Sequence, residues 1–125
     1  MNSQRNIAVI APEKMVCAFS VLIDSTPNQS VLASATNLDE LLTLLGEKKP
    51  DVVLVYLVRE HGPNCWESTY EIIIRTKKIW PDSMCVTIVK YTSQLEKAVE
   101  NGADLALVDG VSAVRLLAAL EMKFS

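Results

Sequence analysis

Short apolar runs alternate with stretches of helical periodicity along the whole chain. Residues 7–11, 31–35, 52–57, 84–89 and 105–108 are continuous apolar segments, rich in β-branched side chains, with no regular polar alternation. Continuous runs of this length predict strands buried on both faces, the mark of a parallel sheet. Between them, residues 13–24, 38–48, 65–79, 93–101 and 111–123 read as helices. Their boundaries carry local signals. Pro12 stands where a first helical turn accepts a residue without an N–H. Asn37 followed by Glu40, and Ser93 followed by Glu96, have the spacing of capping boxes. Asn101-Gly102 reads as a helix C-cap, Trp80-Pro81-Asp82 as a stop, and Thr26-Pro27-Asn28 as a turn. Leu41, Leu42, Leu44 and Leu45 are expected to face inward from the second helix, and Ile72, Ile73, Ile74 and Ile79 from the third.

Five consecutive βα units predict right-handed crossovers and an α/β architecture, a flavodoxin-like doubly wound parallel sheet of strand order 2-1-3-4-5. At 125 residues, with half of them hydrophobic, the chain is expected to be a single domain over residues 1–125. No repeat or low-complexity tract divides it.

Composition narrows the possible chemistry. The net charge is −3 and no lysine or arginine cluster exceeds two residues. A nucleic-acid surface needs a basic stripe that displaces counterions, so direct nucleic-acid contact by this domain is not expected. The apolar start is too short for a signal peptide or a membrane span, and a cytoplasmic location is expected. The three cysteines, Cys17, Cys65 and Cys85, have neither metal-ligand spacing nor an even count. They read as reduced structural thiols, and no neighbour in sequence would activate Cys65. Gly46, Gly62, Gly102 and Gly110 form no phosphate-cradling pattern. His61, beside Gly62 in the loop after the third strand, reads as an exposed loop residue, because a catalytic base needs a nucleophile and an orienting partner.

Local sequence then suggests a family. Lys49-Pro50-Asp51-Val52-Val53-Leu54 resembles the lead into the third strand of bacterial response-regulator receiver domains (CheY-like). Trp80-Pro81-Asp82, the segment 98–104 (AVENGAD) and the segment 110–120 (GVSAVRLLAAL) resemble the receivers of LuxR/NarL-type DNA-binding regulators, in order and at nearly the family spacing. The resemblance implies two-component signalling by phosphorelay through an Mg²⁺-bound aspartyl site, linked to transcription regulation. The positions that would perform it depart from the family. The acidic pair after the first strand aligns with Ala11 and Pro12, leaving Glu13 as the nearby carboxylate. The phospho-acceptor aligns with Tyr56, a phenol neutral at pH 7 that cannot form an acyl phosphate. The switch hydroxyl aligns with Val89, or with Thr87 if no gap is allowed. The lysine that pairs with the phosphoryl group aligns with Asp109, which reverses the sign.

Taken together, these departures predict a degenerate pseudo-receiver: no catalytic residues and no enzyme activity, no cofactor, and an Mg²⁺ site that is lost. Tyr56 is expected either to plug the old pocket or to be a partly buried aromatic. Lys90 is expected either over that pocket, paired with Glu13 or Asp109, or solvated. Regulation would run through a protein partner or a homodimer, for which apolar side chains beyond one face of the first helix (Ala18, Val21) and of the last (Ala119, Met122) are candidates. A DNA-binding output domain is expected outside this chain, which the LuxR-type matches favour reading as part of a longer regulator. Two alternatives stay open: a receiver still phosphorylated through Mg²⁺ at an atypical site, and a small-molecule sensor using the emptied pocket.

Overall fold

The computed structural model describes residues 5–56 and 65–121, with only the backbone described for residues 65–69. Five strands, β1 (Arg5–Ile10), β2 (Gln29–Ala35), β3 (Val52–Tyr56), β4 (Met84–Val89) and β5 (Leu105–Val108), alternate with five helices. The helices are α1 (Glu13–Asp24), α2 (Leu38–Leu45), α3 (Cys65–Ile79), α4 (Leu95–Glu100) and α5 (Ala113–Glu121). The sheet is parallel throughout, in the order β2-β1-β3-β4-β5. Fold class and strand order are those the sequence predicts.

The apolar runs are continuous because each strand feeds two cores. Alternate side chains point to opposite faces. Ile7, Val9, Val52, Leu54, Met84, Val86 and Ile88 pack with Phe19 and Ile23 of α1 and with Leu116 and Leu120 of α5. Their neighbours Ala8, Ile10, Val53, Val55, Cys85 and Val89 pack with Leu38, Leu41 and Leu45 of α2, Ile73 of α3 and Ala98 of α4. Each fully buried aliphatic side chain contributes roughly 1.5–3 kcal/mol of transfer free energy.

The helices bury narrower stripes than the sequence suggests. In α2 the inward residues are Leu38, Leu41 and Leu45, with Leu42 partly buried, while Leu44 is 56% exposed. At 100° per residue, positions 38, 41, 42 and 45 share a face and position 44 does not. Of the four isoleucines of α3 only Ile73 is fully buried and Ile72 is partly covered; Ile74 and Ile79 are exposed, and Thr76 and Trp80 complete the inward stripe. In α5 Ala119 belongs to the core instead of to an outer apolar surface. Met122 lies outside the described residues. Val21 of α1 and Val114 of α5 do face solvent.

Caps follow the sequence in part. Asn37 accepts the Glu40 N–H at 2.8 Å through Oδ1, the expected N-cap bond. Pro12 is the residue before the first turn of α1, and its carbonyl accepts from Met15 and Val16. Ser93 does not cap α4. A single turn of 3-10 helix, Thr92–Gln94, intervenes, and Gln94 Oε1 accepts the N–H groups of Lys90 at 3.1 Å and Tyr91 at 2.9 Å. Gly102, at φ +117°, follows the Asn101 C-cap as expected.

Candidate functional site

In open α/β sheets, ligands sit outside the carboxyl ends of the strands. Tyr56 closes β3, Val89 closes β4, and Asp109 follows β5 directly. Strand pairing brings them level: Tyr56 pairs with Ile88, Val89 with Val108, and the Asp109 N–H donates to the Val89 carbonyl at 2.7 Å.

The site is organised by alternation. Residues 52, 54 and 56 of β3 and residues 105, 107 and 109 at β5 fall on the face covered by α1 and α5, as do 84, 86 and 88 of β4. Tyr56 and Asp109 therefore share a face although β4 lies between their strands. The Tyr56 hydroxyl crosses over β4 and donates to Asp109 Oδ1 at 3.0 Å. The Tyr56 ring rests against Phe19 of α1, with centroids 5.5 Å apart and planes inclined at 58°, a tilted aromatic pair. The phenol is half-buried and the carboxylate exposed.

The other positions predicted for this pocket divide. Ala11 is buried in the α1/α5 core, Pro12 is partly covered, and Glu13 is exposed at the first turn of α1. Val89 contributes its carbonyl to the rim, but its side chain is buried in the opposite core, the one that α2, α3 and α4 cover. Thr87 does not reach the edge. It pairs with Val55, one residue short of Tyr56, is fully buried, and its hydroxyl lies 3.6 Å from Cys85 Sγ. The expected pairing of Lys90 with Glu13 or Asp109 is not formed; ion pairs stand elsewhere, at Arg75–Asp39 and Lys77–Asp104. The Lys90 ammonium instead lies 5.4 Å from the centroid of the Tyr91 ring, a cation–π contact to its own chain neighbour. His61 lies outside the described residues, as does the loop that precedes α3.

One residue that the predicted pocket does not include, Phe19 of α1, backs Tyr56, and nothing local in the sequence ties it to position 56. The bond between Tyr56 and Asp109 joins strands that are not neighbours, so no short-range pattern reveals it. The available signal is parity, since both positions continue the α1-facing set of their strands.

The arrangement offers a phenol, a carboxylate and a buried aliphatic side chain where the resemblance calls for an acyl-phosphate acceptor, a cation and a hydroxyl. Among the described residues no group of three or more His, Cys, Asp or Glu side chains is placed to share a metal ion. Cys85 is fully buried, and burial pushes its thiol up to about 11, away from the thiolate form that reacts.

No protein-family model matches the chain. A tRNA modification GTPase MnmE from Alkaliphilus metalliredigens (strain QYMF) is 33% identical over 89 residues, which are 70% of this chain but 18% of that protein. The chain therefore spans less than a fifth of that relative. Similar solved structures are response regulators. One from Thermotoga maritima has a TM-score of 0.77 at 19% identity, covering 94% of this chain and 95% of that one. A LuxR-family two-component regulator from Aurantimonas sp. SI85-9A1 has a TM-score of 0.76 at 21% identity, covering 95% and 84%. A regulator from Burkholderia pseudomallei, with a phosphorylated aspartic acid, calcium ion and citrate, has a TM-score of 0.72 at 26% identity, covering 95% and 68%. The fold is that of response-regulator receiver domains, those of LuxR type included.

Proposed function

We propose that the chain is a signalling module of the receiver type that works through protein–protein contacts without aspartyl phosphorylation. The observation that carries this reading is the Tyr56–Asp109 hydrogen bond at the carboxyl edge of the sheet. A Burkholderia pseudomallei regulator of similar fold holds a phosphorylated aspartic acid and a calcium ion; at the position that the resemblance aligns with the acceptor, this chain has a phenol bonded to a carboxylate. A dianionic phosphoryl group beside Asp109 would meet a like charge. The tyrosine oxygen also cannot give the mixed anhydride that makes an aspartyl phosphate labile. Mg²⁺ needs hard oxygen ligands in near-octahedral array, and Ala11 and Pro12 supply no side-chain oxygen where the resemblance expects a pair of carboxylates. The module's partners would be proteins or a second copy of itself, with any DNA-binding output located outside these residues. A GTPase role, as in the MnmE relative, has no support here, because the four glycines lack P-loop spacing.

The test is direct. Incubation with acetyl phosphate and Mg²⁺, followed by intact-mass measurement, is expected to leave the mass unchanged. Beryllofluoride with Mg²⁺ is expected to leave the amide NMR spectrum unchanged. A phosphoryl adduct, or Mg²⁺-dependent shifts around Glu13 and Tyr56, would establish instead a receiver phosphorylated at an atypical site.

A further inference from the structure

The bond between Tyr56 and Asp109 has an unusual reach: it starts on β3, passes over β4 and ends at β5. Backbone pairing already joins each of these strands to its neighbour. The side-chain bond adds a second tie at one corner only, where the edge strand turns into its helix. That corner is weakly held otherwise. All four residues of β5 are only partly buried. The turn after it, closed by the Val111 N–H on the Val108 carbonyl at 3.1 Å, needs Gly110 at φ +95°, the type II arrangement. At the other anchor Tyr56 is backed by Phe19, so the strap hangs from a packed ring and not from a free side chain.

We propose that Tyr56 and Asp109 form a built-in strap that sets the position of the β5–α5 corner and is the module's conformational control point. In the receiver reading, on which the signalling meaning of this strap rests, the resemblance puts a phospho-acceptor at the end of β3 and, after β5, a cation that pairs with its phosphoryl group. Here a neutral donor and a carboxylate make an equivalent span with no modification. The corner is then held in one state by default, and changes state when the phenol is drawn off the carboxylate. Because a hydrogen bond between a half-buried phenol and an exposed carboxylate is a weak tie, the corner is poised and not frozen.

Amide hydrogen exchange on the full chain reads the strap. Tyr56→Phe keeps the ring against Phe19 and removes the hydroxyl; Asp109→Ala removes the acceptor; Asp109→Asn keeps an acceptor oxygen. Tyr56→Phe and Asp109→Ala are each expected to speed exchange about three- to tenfold at the Asp109 and Val111 amides. The amides of β1 and β3 keep their protection. The double variant Tyr56→Phe/Asp109→Ala is expected to be no faster than either single one, because both cut the same bond, and Asp109→Asn to stay close to the parent. Unchanged exchange in Tyr56→Phe overturns the strap. So does faster exchange spread evenly over all strands, which marks general destabilisation. Neither result bears on the acetyl-phosphate test, so the strap and the phosphorylation-independent reading can fail separately.

Discussion

The two ends of the sheet are held together by different means. At the amino-terminal end of β3 and β4, polar ties are dense. Lys77, near the end of α3, donates to Asp104 Oδ2 at 2.9 Å and to the Ser83 carbonyl at 2.7 Å. Asp104 Oδ2 also accepts the Cys85 N–H at 2.7 Å. Asp51 accepts the Asn6 N–H at 2.8 Å, and the Ser83 hydroxyl donates to the Pro50 carbonyl. At the carboxyl end, among the described residues, a hydrogen bond between a phenol and an exposed carboxylate joins β3 to β5. The contrast separates scaffold from control. Charge-assisted bonds with both partners about one-fifth exposed fix the base of the sheet. The rim is left with a tie weak enough to change.

The comparison can be broken first at the base. Lys77→Met or Asp104→Ala is expected to lower the unfolding free energy by about 2–3 kcal/mol in urea denaturation, since each strands a partly buried charge and its hydrogen bonds. If either costs no more than a rim substitution, the division of roles fails. The second test is alkaline pH. Burial raises the Cys85 thiol from its ordinary 9.0 to about 11. The unfolded chain releases this proton first as pH rises. The stability that the neutral buried thiol contributes is therefore complete below about pH 9 and declines as pH climbs towards 11. The decline attributable to this group should be of the order of 2–3 kcal/mol and absent in Cys85→Ala, by denaturant titration across that range. In the native protein, thiol labelling followed by peptide mapping should modify exposed Cys17 and spare Cys85.

A third test is Gly102→Ala. The backbone there has φ +117°, and an added Cβ would stand 3.2 Å from Lys77 Cγ. Strain and a displaced Lys77 together should cost about 1–2 kcal/mol. Gly46→Ala at φ +58°, with open space around it, should cost less, about 1 kcal/mol. The smallest effect is expected for Tyr56→Phe, under about 1 kcal/mol of global stability. A larger loss would make the rim bond part of the scaffold.

The elements were legible in the sequence because the physics that makes them is local. A β-branched run buried on two faces looks the same in any such sheet, and Asn37 before Leu38 caps whatever helix follows. Side-chain direction was less legible. Three consecutive isoleucines, Ile72 to Ile74, cannot all face a core at 100° per residue, and composition alone does not choose among them; Thr76 and Trp80 decide, and they are inward because Ile73 is. At the rim, the types of residue were readable while their bonds were not. Long-range attraction favoured Lys90 for Asp109, but a side chain pairs with what lies within its reach, and Tyr91 is next in the chain. Parity placed Tyr56 beside Asp109 only once the register across β4 was known.

One irregularity at the far side of the sheet bears on how copies of this protein could meet. Between Ile7 and Ala8 the pairing of β1 with β2 slips, so that Val31 and Ala33 face consecutive residues and Leu32 is skipped. The ladder is therefore interrupted on the outermost strand, and the Val31 N–H is taken by Asp24 Oδ1 at 2.9 Å, so its outer edge does not offer the regular row that a second chain would need to dock as an added strand. Fibre-like stacking along that border is discouraged by the backbone itself. Excising Leu32 would straighten it and make the border adhesive.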